Sequence, residues 1–171
     1  MSDKKIALGC SHTFGIGVEK HEAWPALLGA VNYGVNGASS DLIARTLPDI
    51  LEKEQPNTVY ILWPDWSRFE YLKNGRWIQS HPTDPDRLNF METHPEEWLR
   101  NNFAQKVKDV KQMCDDQNIK LHHMTLYDII PYHDHADRWP LSKLGHHYSP
   151  EWHQWIANLF RTHNEFPIAY D

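Results

Sequence analysis

The segment Gly9-Cys10-Ser11-His12-Thr13-Phe14-Gly15 sets a small hydroxyl just past a glycine that closes a short apolar run. A serine in such a loop is expected to be exposed and flanked by backbone N–H groups, which suits a nucleophile whose oxyanion is held by main-chain donors. A second segment, Asn32-Tyr33-Gly34-Val35-Asn36-Gly37, also follows a short apolar stretch. A glycine there lets its N–H face a ligand with no side chain in the way. Near the other end, Leu144-Gly145-His146-His147-Tyr148-Ser149-Pro150-Glu151-Trp152-His153 places a histidine just before a helix start. Imidazole, with an ordinary pKa near neutrality, is the natural general base for a serine. Taken singly, each segment is also ordinary turn chemistry.

These residues require elements that bring them to one edge. Residues 5–8 read as a buried strand before Gly9, residues 21–28 as a helix closed by Gly29, and residues 30–33 as a second strand. Ser39 or Ser40 can cap a helix through Glu54 with Ile43, Leu47, Ile50 and Leu51 on one face and a kink at Pro48. Residues 58–63 are β-branched and aromatic with no polar alternation, as in a strand covered on both faces of a parallel sheet. Thr93-His94-Pro95-Glu96 has capping-box spacing ahead of the stripe Leu99, Phe103, Val107, Val110 and Cys114. Residues 119–126 return as a strand, and Ser149-Pro150-Glu151 opens a last helix with Trp152, Trp155, Ile156 and Leu159 inward.

Strand and helix thus alternate, which predicts an α/β fold: a three-layer αβα sandwich with a central parallel, flavodoxin-like sheet and a ligand site beyond the carboxyl ends of its strands. Between Trp66 and Glu92 the helical signal stops, and Asn74-Gly75 marks an inserted type I′ hairpin placed to act as a lid or substrate wall.

With 171 residues the chain fits one domain, 1–171, carrying an insert at about 66–92. Apolar types make up 40% and charged residues 23%, enough for a real core. The formal charge of −6 offers no general attraction to phosphate backbones or anionic lipid, so neither nucleic acid nor membrane is an expected partner. The longest apolar run, 59–63, is far too short to span a bilayer. The first residues carry no apolar leader segment, which points to a cytoplasmic product, and Cys10 and Cys114 are expected to be free thiols. His122-His123, His133-Asp134-His135 and His146-His147 offer nitrogen ligands but lack a zinc-site spacing, so no metal is assigned. Trp152 and Trp155 read as core, whereas Trp63, Trp66, Trp77 and Trp139 lie in or near site-side loops and can stack on a sugar ring.

In this chain order the three segments resemble the blocks of SGNH (GDSL-type) serine hydrolases. Gly9 to Gly15 resembles the first block (Gly-Asp-Ser-x-x-x-Gly), Asn32-x-Gly34-x-x-Gly37 the second, and the stretch from His147 to His153 the fifth. The resemblance implies an esterase that needs no cofactor and acts on a small-molecule or carbohydrate-borne ester. By it Ser11 is the nucleophile, His147 the general base, and Ser11 N–H and Gly37 N–H the oxyanion donors; Asn36 is a turn residue whose amide can reach the pocket.

The chain departs from the family pattern at three places. Leu144 stands where the family has the Asp that orients the histidine, leaving a backbone carbonyl near Leu144, Asp134 or Asp137 as orienters. In the third block the family's Gly-x-Asn-Asp is replaced by Trp63-Pro64-Asp65-Trp66-Ser67-Arg68. Asp65 has the wrong charge for an oxyanion donor, and the Ser67 hydroxyl, the Trp66 indole N–H or Arg68 can donate instead; Arg68 can equally bind an anionic substrate or pair with Asp65. Cys10 replaces the first-block Asp and reads as a buried structural thiol. The rival reading is a catalytically silent member that binds a ligand or mediates assembly through the same pocket. A nucleotide-binding flavodoxin-like protein lacks support, there being no phosphate-loop signature.

Overall fold

Thr58–Trp63 (β3) is buried along its whole length and forms the axis of the fold. The computed structural model describes residues 3–80, 85–126, 142 and 147–162. Around β3 lie β1 (Lys5–Gly9), α1 (Ser11–Phe14), α2 (Trp24–Leu27), β2 (Val31–Asn32), α3 (Ser40–Glu54), β4 (Glu70–Lys73), β5 (Arg76–Gln79), α4 (Pro85–Thr93), α5 (Glu96–Asp116), β6 (Lys120–Thr125) and α6 (Pro150–Thr162). The four-stranded sheet runs β2-β1-β3-β6 with every pair parallel, and β4-β5 form a separate antiparallel pair.

Alternation along the strands divides the core into two layers. Ile6, Leu8, Val59, Ile61 and Trp63 face Ile43, Leu47 and Leu51 of α3 and Phe103, Val107, Val110 and Cys114 of α5. Ala7, Tyr60, Leu62 and Met124 face the other way, onto Trp24, Trp152, Ile156 and Phe160. Helices on both faces of a parallel sheet make the expected three-layer αβα sandwich, and because all strands point one way their carboxyl ends share one edge. Among the described residues no helix is long and apolar enough to cross a membrane.

Local sequence explains most boundaries. Ser39 Oγ accepts from Leu42 N–H at 3.1 Å and starts α3, which continues through Pro48 to Gln55 in the left-handed region. Asn74 and Gly75 both have positive φ (52° and 74°), as a type I′ hairpin requires.

Four readings need correction. The capping box does not form: the residues before α5 are already helical, Thr93 Oγ1 bonds back to Phe90 O in the last turn of α4 (3.0 Å), and Pro95 is the N-cap. α4 itself escaped the pattern because it buries no residue. The buried face of α6 is Trp152, His153, Ile156, Ala157 and Phe160, leaving Trp155 and Leu159 half-buried at its margin. The hairpin does not stand free as a lid, since Phe69 and Tyr71 pack with Leu99 in a third apolar cluster and Gln79 Oε1 accepts from Ser39 N–H (2.9 Å).

Leu47 is fully buried, so Leu47→Ala is expected to destabilise the chain by about 2–5 kcal/mol in a urea titration. Leu88→Ala, at a side chain of α4 that is 61% exposed, should change stability by no more than about 0.5 kcal/mol.

Candidate functional site

At the end of β1 the chain turns back at once. Thr13 N–H and Phe14 N–H both donate to Cys10 O at 2.9 Å, so Ser11 opens the single turn of α1 directly above the sheet edge. Gly9 is required by contact: a Cβ there would lie 2.7 Å from Leu62 O and run into the Thr13 side chain. Cys10 belongs to the core on the α3–α5 side, a buried free thiol.

The loop after β2 is clamped to this turn. Asn32 Nδ2 donates to Thr13 O (2.8 Å) and Phe14 O (3.4 Å), while Asn32 Oδ1 accepts from Gly34 N–H (2.8 Å). Gly34 passes so close to α1 that a Cβ would come within 2.7 Å of the Thr13 carbonyl carbon. Val35 N–H reaches Gly9 O (3.0 Å), extending the pairing of the two chains, and Gly37 then turns with φ 76° beside open space. Asn36 and Gly37 are exposed.

The C-terminal segment packs against the same turn. His147 O accepts from Ser142 N–H (2.6 Å), and Tyr148 stacks on Trp152 in the first turn of α6 (centroids 4.7 Å, 19°). The His12 ring, next in sequence to Ser11, sits among these groups: 5.2 Å from His147, 5.3 Å from Tyr148 and 5.3 Å from Trp152 between centroids. Its Nδ1 is buried and has no hydrogen-bond partner among the described residues. Burial, reinforced by neighbouring His147, His153 and Arg68, pushes the His12 imidazole down to about 3, so it is neutral at pH 7. Behind Trp152, His153 Nδ1 accepts from Trp24 N–H (3.2 Å), which puts its proton on Nε2 and ties α6 to α2. Burial pushes His153 down to about 4, opposed by the Glu22 carboxylate and reinforced by His147.

The predicted site residues are distributed unequally. Ser11 is buried, at 5% accessibility, where a strand-end position suggested exposure; α1 folding straight back onto β1 accounts for the cover. Asp65 Oδ1 is taken up by Ser67 N–H (2.9 Å) and its carbonyl by Arg68 N–H (2.9 Å), so it caps its own turn and, among the described residues, makes no ion pair with Arg68. Trp66 is covered by the Arg100 guanidinium, 4.2 Å from its ring, and Trp63 is fully buried against Phe103; neither is a free platform. Arg68 is exposed, and its charge adds to the lowering of the His12 pKa. Asp134, Asp137, Trp139 and Leu144 lie outside the described residues.

Two histidines that lie within the quoted segments but received no role of their own, His12 and His153, pack around Trp152 beside His147 and Tyr148. The position of His12 beside Ser11 was the available signal; that of His153 on the inner face of a helix reads as core. Among the described residues no three His, Cys, Asp or Glu side chains converge on a metal-sized space.

No protein-family model matches the chain, and no curated protein matches its sequence. Solved structures match its fold. One described as a lipolytic protein of the G-D-S-L family, from Desulfitobacterium hafniense DCB-2, aligns with TM-score 0.60 at 17% identity, covering 93% of this chain and 98% of that one. TesA aligns at 0.57 with 15% identity (93% and 97% covered). The psychrotrophic esterase EstA from Pseudoalteromonas sp., in a structure inhibited by monoethylphosphonate, aligns at 0.52 with 14% identity (91% and 93% covered). The chain therefore has the fold of the GDSL-type hydrolases.

A histidine held below its unfolded value binds fewer protons in the folded than in the unfolded chain, so acid favours unfolding. The contribution of His153 is complete above about pH 6.5 and is lost as the pH falls toward 4, and that of His12 is lost over a range reaching about 3. Urea midpoints are expected to fall from neutral pH to about pH 4, and His153→Gln, which keeps an acceptor for Trp24 N–H, should remove a share on the order of 3 kcal/mol.

Proposed function

We propose that the chain is an SGNH-type serine esterase that hydrolyses a small or carbohydrate-borne ester through an acyl-enzyme on Ser11, with His147 as general base. The observation that carries this reading is the contact of His12, the neighbour of Ser11, with the ring of His147 (5.2 Å between centroids) at the carboxyl edge of a sheet whose fold is that of known esterases.

In the proposed cycle Ser11 Oγ attacks the ester carbonyl and passes its proton to His147. The oxyanion is held by Ser11 N–H and Gly37 N–H; open space beside Gly37 and its exposed backbone support that role. The tetrahedral species collapses as the imidazolium protonates the leaving alcohol, and a water activated by the same imidazole then releases the acid. With Asp65 and Trp66 engaged elsewhere, Arg68 is the third-block residue best placed to add positive charge, because its charge already acts on His12.

A silent binding protein built on the same pocket is the second reading, favoured by the 5% accessibility of Ser11 and by Leu144 in place of the family Asp. Turnover of p-nitrophenyl acetate separates the two. Hydrolysis is expected, lowered roughly 10³-fold or more by Ser11→Ala or by His147→Ala. A fluorophosphonate should add covalently to Ser11, read by peptide mass. Turnover that survives Ser11→Ala, or no turnover and no adduct, would sink the esterase reading.

A further inference from the structure

The hairpin uses its two faces unequally. Register pairs Glu70 with Gln79, Tyr71 with Ile78 and Leu72 with Trp77, so Glu70, Leu72, Trp77 and Gln79 share one face. The base of that face is anchored to α3. Arg45 forks onto Glu70 (Nη2–Oε1 3.0 Å, Nε–Oε2 3.2 Å), Asp41 Oδ2 accepts from Glu70 N–H (2.9 Å), and Gln79 meets Ser39. Leu72 and Trp77 continue beyond these anchors, directly opposite each other, and remain 61% and 54% exposed. Trp77 borders a slot of about 350 Å³ between α3 and α5, with Ala44, Val110 and Met113 supplying its apolar lining.

The polar groups of the slot are already matched within the chain. Besides the Arg45–Glu70 fork, Lys106 Nζ lies 2.9 Å from Asp41, and Gln105 donates to Asp109 at 2.8 Å. A slot so compensated presents no strong field to recruit an ion, yet its rim keeps oxygen and nitrogen atoms that can take further hydrogen bonds. The Arg45 guanidinium lies over the Trp77 ring at 6.0 Å from its centroid, far enough to leave the indole in loose contact. The volume falls within the range of small-molecule sites, about 300–1,000 Å³. An aromatic wall, an apolar lining and a neutralised polar rim together match a ring that is apolar on its face and hydroxylated at its edge.

We propose that this slot is a binding site for neutral carbohydrate, with the indole of Trp77 stacking on a pyranose face. The site is separate from Ser11 and His147, so its test requires no turnover and stands whether or not the esterase reading does. Cellohexaose, xylohexaose and chitohexaose are titrated at millimolar concentration into the full chain while the tryptophan indole N–H resonances are recorded; Trp77 is assigned by the signal missing from Trp77→Ala.

At least one sugar is expected to shift the Trp77 signal saturably. Its affinity should fall roughly tenfold or more in Trp77→Ala, be partly kept in Trp77→Phe, and be unchanged in Ser11→Ala. The proposal is overturned if none of the sugars moves that resonance, or if Trp77→Ala binds as tightly as the parent. It is equally overturned if the signal moves only with protein concentration, as a second copy would make it, or only with a neutral amphipathic peptide.

Discussion

The packing of one imidazole ties the two ends of the fold together. His12 belongs to the turn that follows the first strand, yet the rings it touches, His147, Tyr148 and Trp152, belong to the entry of the last helix. The turn that carries it is fixed from below by the Cys10 carbonyl, which accepts from Thr13 N–H and Phe14 N–H, and from the side by the Asn32 amide, which donates to Thr13 O, so the ring enters the contact as a wedge set on a braced turn. A parallel sheet brings loops to a common edge, but it does not set their depth or angle. Here the His12 ring meets the entry of the last helix, 5.2 Å from the His147 ring between centroids.

That arrangement works only while the wedge is neutral. A charged imidazole enclosed by aromatic rings and facing a second histidine would meet both desolvation and like-charge repulsion, and Arg68 would add to the repulsion. The same holds one layer deeper at His153, where a lone pair on Nδ1 is needed for the Trp24 N–H. Both imidazoles are thus unprotonated where they pack, in keeping with a residue 147 whose proposed task is to accept a proton.

Much of this was legible in advance, and the parts that were not share a physical cause. β3, the stripe of α5 and the Asn74-Gly75 turn announce themselves because one local signal suffices: an unbroken apolar run, a 3.6-residue period, a pair of residues that tolerate positive φ. α4 was invisible because it has no buried stripe, and the capping box misled because its Thr was already inside a preceding helix. For the proposed site, the order of the three segments is the signal on which Ser11 and His147 rest. The fates of Trp66, His12 and His153 depend on partners far off in the chain, such as Arg100 for Trp66 and Trp24 for His153, which no spacing encodes, whereas Asp65 is taken up by its own turn.

The inserted hairpin shows how such long-range partners decide the use of a segment. Two strands alone are marginally stable, and a free lid would have to supply its own order. Here Tyr71 and Ile78 join an apolar cluster on one face, while on the other Glu70, its side chain only 3% exposed, depends on the Arg45 fork. A carboxylate so enclosed tolerates little displacement, because any shift that breaks the fork leaves a buried charge without its partner. The pair contributes orientation more than net stability. Having fixed the base of the hairpin against α3, it leaves the outer half, with Leu72 and Trp77, exposed beyond the anchors; an aromatic surface carried on an anchored hairpin loses less entropy on meeting a ligand than one on a mobile loop would.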